Sequence, residues 1–206
     1  MNRSDERGAI PTLGIVVATS IPPNVVRHEN GRDVGRAYQT HCIESWIEAG
    51  FRVLSLNFPD EIPELAPCYP MVQFIAVNRD KSGMLLGHKT PLLAELLGVL
   101  SKQTEEIVGI INADISLEPK HWTRIIRDSV QGTIVIAHRT DVTSCKFTDR
   151  TVYRWGYDLF FFERSEIPDD VPRNFAMGLP WWDYWLPLAF QVAGLKPKTL
   201  PAPMLI

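Results

Sequence analysis

The feature that most constrains the fold is a short apolar run that ends in a polar triplet. Residues 107–111 are Ile-Val-Gly-Ile-Ile, and Asn112-Ala113-Asp114 follow directly. An unbroken apolar run of this length is typical of a strand buried on both faces of an α/β sheet. Ligands of such sheets bind beyond the carboxyl ends of the strands, and a carboxylate is costly to bury without a partner. Asp114 therefore either caps a turn or contacts a ligand.

Strand and helix patterns alternate along the first 138 residues. Apolar runs predict strands over 13–19, 51–56, 72–77, 107–111 and 133–138. An apolar stripe predicts a helix from residue 34 to Gly50. Thr90 as N-cap with Pro91 at the first helical position predicts a helix through residue 100, and another is predicted over 119–129. This alternation builds a mainly parallel sheet covered by helices.

The last third of the chain has a different character. Residues 141–153 are polar and irregular, and the aromatic run 155–164 predicts a further strand. The stretch after Gly178 predicts a helix that ends near Gly194. The sequence shows neither a low-complexity linker nor an internal repeat, so we predict one domain over residues 1–206.

Composition and charge exclude several classes of protein. Hydrophobic residues make up 45% and charged residues 22% of the 206, and the net charge is −3, which argues against a general nucleic-acid binder. No apolar run approaches the roughly 20 residues of a transmembrane span. The N-terminus leads into no signal-peptide core, and the three cysteines have neither zinc-type nor disulfide spacing. A reducing cytoplasm is therefore the expected setting.

Three familiar catalytic motifs are absent or incomplete. Residues 83–90 have the order G-x-x-x-G-H-K-T, whereas a P-loop needs four residues between its glycines and a lysine directly after the second. The first strand is followed by no G-x-G-x-x-G, and the sequence contains no G-x-S-x-G nucleophile elbow. The motifs thus favour neither a P-loop enzyme, a dinucleotide enzyme nor a serine hydrolase.

The central strand and its triplet resemble the metal-binding region of nucleotide-sugar glycosyltransferases of the GT-A fold. In that family the buried strand of the fourth βα unit ends in a D-x-D motif, and this chain has Asn112-Ala113-Asp114 there. The resemblance extends along most of the chain. The segment 19–22, Thr-Ser-Ile-Pro, is similar to the first-strand loop that holds the nucleotide base.

Two later segments carry the same resemblance. Residues 157–162 with Arg164 are similar to the strand that follows the acceptor loop of the family. Residues 178–183, Gly-Leu-Pro-Trp-Trp-Asp, resemble the G-x-P-x-W-D segment of a bacterial and plant group of such proteins.

The resemblance implies a fold and an activity. The expected fold is a GT-A-like, three-layer α/β/α arrangement with a mainly parallel central sheet. The expected activity is transfer of a sugar from a UDP- or GDP-sugar to the hydroxyl group of a glycan or another acceptor, as in glycan biosynthesis. Mn²⁺ or Mg²⁺ is the implied cofactor, since both ions favour oxygen ligands and would neutralise the diphosphate leaving group.

The resemblance also implies which residues form the site. Asp114 would be the main metal ligand, with Asn112 beside it. Asp183 is the candidate base that deprotonates the acceptor, although a helix-end residue favoured by the macrodipole is the alternative interpretation. Asp158 is the next carboxylate to consider. The expected nucleotide-sugar contacts are Thr19, Ser20, Ile21, Arg79, Lys89, Asn112, Ala113, Asp114, Trp181 and Trp182.

Two departures from the family pattern keep other functions open. Asn112 replaces the first aspartate of the motif, and a neutral amide binds a divalent cation less strongly than a carboxylate. GT-A enzymes often add a histidine ligand after the last strand, about where residues 201–206 end this sequence. We therefore expect either a domain truncated at its C-terminus or one that does without this ligand. A catalytically silent nucleotide-sugar binding module is the alternative. A sugar-phosphate nucleotidyltransferase is disfavoured because the first strand lacks a glycine-rich, basic loop.

Overall fold

A seven-stranded sheet forms the centre of the protein. The computed structural model describes residues 12–77, 90–118, 120–142, 150–170 and 174–200. A 3₁₀ turn over Arg164–Glu166 accompanies the regular elements. In chain order these elements are β1 (Thr12–Thr19), β2 (His28–Glu29), β3 (Arg32–Asp33), α1 (Gly35–Glu48), β4 (Phe51–Asn57), α2 (Ile62–Leu65), β5 (Gln73–Ala76), α3 (Leu93–Leu100), β6 (Glu105–Ile111), α4 (Trp122–Val130), β7 (Thr133–Ala137), β8 (Thr140–Val142), β9 (Arg150–Val152), β10 (Leu159–Glu163), α5 (Trp182–Val192) and β11 (Lys196–Thr199).

The order of the strands brings several polar strand ends to one edge of the sheet. The order is β5-β4-β1-β6-β10-β7-β11. All neighbours are parallel except β10, which runs antiparallel to β6 and β7. The carboxyl ends of β4, β1, β6 and β7 therefore lie beside the amino end of β10. We call this side of the sheet the carboxyl edge.

Helices cover both faces of the sheet. Successive strand residues point to opposite faces, so Ile15 and Val17 of β1 lie in one core with Trp46 of α1. Val16 and Ala18 lie in the other core, which includes α3 and α5. The helix α4 packs in the first core. The predicted three-layer α/β/α arrangement with a mainly parallel sheet is confirmed.

The start of α3 differs from the prediction. Thr90 is not its N-cap, because the helix begins at Leu93 and Leu92 is the extended N-cap residue. Leu92 instead pairs with Ala176 in an isolated β-bridge, and the Thr90 hydroxyl donates to the Met177 carbonyl. The contact with the later segment therefore overrides the local helix-start signal, and residues 90–92 run beside residues 175–177.

The short polar strands were not predicted, and the aromatic strand is shorter than expected. The β2–β3 hairpin has a two-residue turn at Asn30 and Gly31. Both residues have positive φ, as a type I′ turn requires. The edge strand β11 consists of Lys-Pro-Lys-Thr and has no apolar run to reveal it. The region predicted to be irregular after residue 141 includes the β8–β9 pair.

Within the described ranges, the helices are too short or too polar to cross a membrane.

Candidate functional site

A cleft of about 470 Å³ lies at the carboxyl edge, beyond the ends of β1, β4 and β6. Its walls come from residues 20–25 after β1, from the first turns of α1, from the end of β4, from residues 112–114 after β6 and from residues 177–178. A volume of this size is typical of a small-molecule site. The polar segments that the sequence placed after strands β1 and β6 thus share one cavity.

The loop after β1, residues 20–25, is fixed by side chains of the neighbouring elements. The backbone N–H of Ile21 donates to the Ser55 hydroxyl at 2.9 Å, and Asn57 donates its amide to the Ile21 carbonyl at 2.8 Å. Gln39 of α1 donates to the Pro22 carbonyl at 3.3 Å. Because these hydrogen bonds hold the backbone of the loop, this wall of the cleft is preformed.

The turn that carries Asp114 is tied to α1. The Tyr38 hydroxyl donates to the backbone carbonyl of Asp114 at 2.8 Å, and the indole of Trp46 donates to the Ile115 carbonyl at 2.7 Å. The side chain of Asp114 is exposed and lines the cleft. Its backbone is therefore held, while its carboxylate is available to a ligand.

The structure places the other predicted contact residues in several environments. Ser20, Ile21, Asn112 and Ala113 line the cleft together with Asp114. Thr19 is fully buried below it, and its hydroxyl has no hydrogen-bond partner among the described residues. The remaining predicted contacts, Arg79 and Lys89, lie outside the described residues.

The two tryptophans of the W-W-D segment differ in exposure. Trp182 is only 4% exposed and packs against Phe160 at 5.4 Å between ring centroids, so its indole has no face for a sugar, contrary to the prediction. Trp181 is 67% exposed and precedes α5 with a φ of 76°. This backbone conformation is rare for a bulky residue. Only Trp181 of the pair can stack on a ligand.

A buried carboxylate lies next to the Asn112-Ala113-Asp114 triplet. The Asn112 amide nitrogen donates to Asp158 Oδ1 at 2.5 Å, and Arg139 Nη1 lies 3.5 Å from Asp158 Oδ2. Burial raises the pKa of Asp158 to about 6, against the opposing effects of Arg139 and Asn112, and the nearby carboxylates Asp114 and Asp183 raise it further. Two further carboxylates at the carboxyl edge thus act on the buried carboxylate of Asp158.

Asp183 is held at the start of α5 by the segment before β10. Its Oδ2 accepts a hydrogen bond from the Tyr157 N–H at 3.1 Å. Gly156 has a φ of +143°, and a Cβ there would stand 2.6 Å from the same oxygen. The Tyr157 ring stacks on His138 with 4.7 Å between centroids. Within the described part of the chain, Asp183 is half-buried and does not line the cleft.

The donor set fits a cation that is shared with a ligand better than one held by the protein alone. The described ranges contain no group of three or more His, Cys, Asp or Glu side chains able to hold a metal ion. Asp114 offers a carboxylate to the cleft, whereas the amide nitrogen of Asn112 is engaged by Asp158. Mg²⁺ is commonly bound by one or two carboxylates together with the phosphates of a substrate. Asp114 fits this arrangement.

Sequence reasoning missed several residues of the site. Asn57 is the last residue of β4 and Asn112 directly follows β6, so the rule that singled out Asn112, a polar residue at the carboxyl end of a buried strand, also applies to Asn57. Tyr38 lies in the helix that the apolar stripe predicted over residues 34–50, and its side chain also lines the cleft. Asp158 was named only as a secondary carboxylate, and its contact with Asn112 depends on the antiparallel placement of β10, which the sequence did not indicate.

The comparisons with known proteins bear on the fold. No protein-family model matches the chain, and no curated protein is significantly similar to it in sequence. A protein described as a nucleotide-diphospho-sugar transferase from Desulfovibrio desulfuricans G20 matches in structure with a TM-score of 0.55 and 15% identity, over 92% of this chain and 80% of its own.

Two further structures resemble the chain to a similar degree. HddC from Yersinia pseudotuberculosis matches with a TM-score of 0.51 and 12% identity, over 91% of this chain and 89% of its own. The 4-diphosphocytidyl-2C-methyl-D-erythritol synthase from Anaerococcus prevotii DSM 20548 matches with a TM-score of 0.51 and 11% identity, over 90% and 87%. The chain therefore has the GT-A-like fold of nucleotide-diphospho-sugar transferases.

Proposed function

We propose that the protein is a glycosyltransferase that moves a sugar from a nucleotide-diphosphate sugar to an acceptor hydroxyl, assisted by Mg²⁺ or Mn²⁺. The observation that carries this proposal is the cleft at the carboxyl edge, in which the exposed Asp114 and the fixed loop 20–25 share one cavity. Ligands of open α/β sheets bind in this crevice. The likeness to a protein described as a nucleotide-diphospho-sugar transferase supports the same ligand class.

The donor would occupy the cleft with its nucleoside towards α1 and β4. Gln39, Asn57 and Glu61 line this part of the cavity. The amides of Gln39 and Asn57 hold the loop 20–25, and the Glu61 carboxylate would accept hydrogen bonds from the nucleoside. Its diphosphate would then lie towards Asp114. A divalent cation held there, when bound, would neutralise the charge of the leaving diphosphate.

The acceptor would approach from the α5 side. Asp183 would take the proton of the attacking hydroxyl, as an inverting transferase requires. The backbone N–H of Tyr157 holds one carboxylate oxygen of Asp183, which orients the group. The exposed ring of Trp181 lies two residues before it and offers an apolar face to a sugar.

The test is product analysis after incubation with UDP- and GDP-sugars and a panel of glycans, with Mn²⁺ and with a chelator. A transferase releases the nucleoside diphosphate and forms a larger glycan, while slow hydrolysis without acceptor is also expected. Binding of a nucleotide-sugar without either product would support the silent binding module instead.

Nucleotidyl transfer is a second candidate, favoured by the likeness to the 4-diphosphocytidyl-2C-methyl-D-erythritol synthase. Such an enzyme consumes a nucleoside triphosphate and releases pyrophosphate. The loop after β1 argues against it, since Ser-Ile-Pro-Pro-Asn-Val has neither glycine nor a basic residue to hold a triphosphate. Release of pyrophosphate from a nucleoside triphosphate and a sugar phosphate would select this function over glycosyl transfer.

A further inference from the structure

The first residue of the Asn112-Ala113-Asp114 triplet is paired with a residue of another strand. Asn112 Nδ2 donates to Asp158 Oδ1 at 2.5 Å, and the backbone N–H of Asn112 donates to the Asp158 carbonyl at 3.0 Å. The antiparallel register of β6 and β10, in which Ile111 faces Leu159, brings the two residues together. The contact is thus built into the sheet.

The chemistry of Asp158 explains why residue 112 carries an amide. The Asp158 side chain is only 6% exposed, and an ionised carboxylate accepts hydrogen bonds but donates none. Its donors here are the Asn112 amide and Arg139. A carboxylate at position 112 would lie against that of Asp158, and two such groups in contact repel each other or must share a proton.

The pairing also fixes the orientation of Asn112. Because Asp158 accepts the amide hydrogen, the nitrogen of Asn112 must face Asp158, and its oxygen is directed elsewhere. Asn112 lines the cleft beside Asp114. We propose that Asp158 is a positioning residue that fixes the Asn112 amide so that its oxygen is presented to the diphosphate end of the ligand. This inference rests on the proposed function for the identity of that ligand.

The D-x-D motif and the Asn112–Asp158 pairing predict opposite effects for Asn112→Asp. If the motif alone decides, the substitution restores D-x-D and strengthens the binding of a nucleoside diphosphate with Mn²⁺. From the pairing, the same substitution brings two carboxylates together and weakens both folding and binding. The exchange Asn112→Asp with Asp158→Asn restores a donor and an acceptor, now reversed, without changing the net charge.

The experiment measures unfolding and the affinity for UDP and GDP with Mn²⁺ in the wild type, both single variants and the double variant. We expect Asn112→Asp to lower the equilibrium constant for folding and the nucleotide affinity by about tenfold each, a usual size for coupling between contacting residues. The double variant should recover most of both losses. Asn24→Asp adds the same charge at an exposed position of the cleft wall and should leave folding unchanged.

Two further readouts keep the test decisive. NMR would measure how fast the side-chain amide protons of Asn112 exchange with water. We expect slow exchange in the wild type and faster exchange in Asp158→Leu. Unchanged or tighter nucleotide binding by Asn112→Asp, or a double variant no better than that single variant, would overturn the inference. If the wild type binds no nucleotide, the proposed function fails, and slow amide exchange with recovery of stability in the double variant still decides whether Asp158 positions Asn112.

Discussion

The backbone of Gly35 lies against the carbonyl group of Val25: a Cβ at position 35 would stand 1.9 Å from the Val25 oxygen and 2.5 Å from its carbonyl carbon. Val25 ends the loop that forms one wall of the cleft, and Gly35 begins α1. Since the contacting atoms belong to the backbone, they cannot move aside as a flexible side chain does. The glycine thus lets the cleft wall approach the helix.

Gly35→Ala should therefore damage both stability and ligand binding. We expect a loss of about 1–3 kcal/mol, as for other overpacked sites, with weaker nucleotide binding because residues 20–25 must move. Gly98→Ala is the matched control, because its Cβ would meet no atom within 4 Å and should add about 0.5–1 kcal/mol of helix stability. Chemical denaturation and nucleotide titration measure both effects. Wild-type affinity in Gly35→Ala would show that the contact does not shape the cleft.

The two adjacent tryptophans should respond in opposite ways to truncation. Trp182→Ala removes a buried ring from the core and should cost about 3–5 kcal/mol. Trp181→Ala removes an exposed ring and should change stability by less than about 0.5 kcal/mol, while raising the KM for the acceptor if the ring stacks on a sugar. Denaturation and initial rates on the same preparations separate the effects. Equal destabilisation by both substitutions would contradict the observed exposures.

The Arg52–Glu105 ion pair should make stability depend on pH at acid values. Arg52 donates to both carboxylate oxygens of Glu105, at 2.7 and 2.8 Å, and this lowers the pKa of Glu105 in the folded state. The unfolded chain therefore takes up a proton at higher pH than the folded one. The stabilisation is complete above the unfolded pKa, near 4.3, and is lost as the pH falls through the folded value.

Glu105→Gln should accordingly cost about 1.5–3 kcal/mol at pH 7, the range for hydrogen bonds to charged groups. The difference from the wild type should shrink below about pH 4. Glu106→Gln is the control, because Glu106 is exposed on the same strand. Urea denaturation from pH 3 to 7 measures the dependence. A difference that stays constant over this range would show that the charge of Glu105 is not the cause.

Much of the sheet could be predicted because its inner strands are apolar on both faces. The six predicted strands each overlap an observed one, and β6 is the strand whose end carries the polar triplet. The edge strand β11 could not be recognised, because Lys-Pro-Lys-Thr is exposed and needs no apolar residues. The predicted start of α3 was wrong because no local pattern reveals the pairing of Leu92 with Ala176, which are far apart in sequence.

The candidate site could be predicted only where a local rule applies. Polar residues that follow buried strands lie at the carboxyl edge, and this rule predicts the position of Ser20, Asn112 and Asp114. The contact of Asp158 with Asn112 requires the position of β10 within the sheet, and no local pattern specifies it. The exposure of Trp181 and the burial of Trp182 depend on where α5 begins.

Asp183→Asn tests the proposed base. The amide keeps an oxygen to accept the Tyr157 N–H, so folding and donor affinity should change little. Transfer should slow by roughly 10²–10⁴, the usual contribution of a positioned base. If Asp183 only stabilises the helix end, the substitution should instead cost about 0.3–1 kcal/mol of stability and leave turnover near normal. Transfer rate and melting temperature on one preparation distinguish the two interpretations.

The most direct test of the central claim is the melting temperature with UDP or GDP and Mn²⁺, in the wild type and in Asp114→Ala. A ligand at 100 times its Kd adds about 2.7 kcal/mol to the free energy of unfolding, which corresponds to a rise of roughly 5–10 °C for a chain of this size. We expect that rise in the wild type and in the surface control Asp128→Ala, and a much smaller one in Asp114→Ala. No rise with any nucleoside diphosphate at millimolar concentration, or an undiminished rise in Asp114→Ala, would contradict the account.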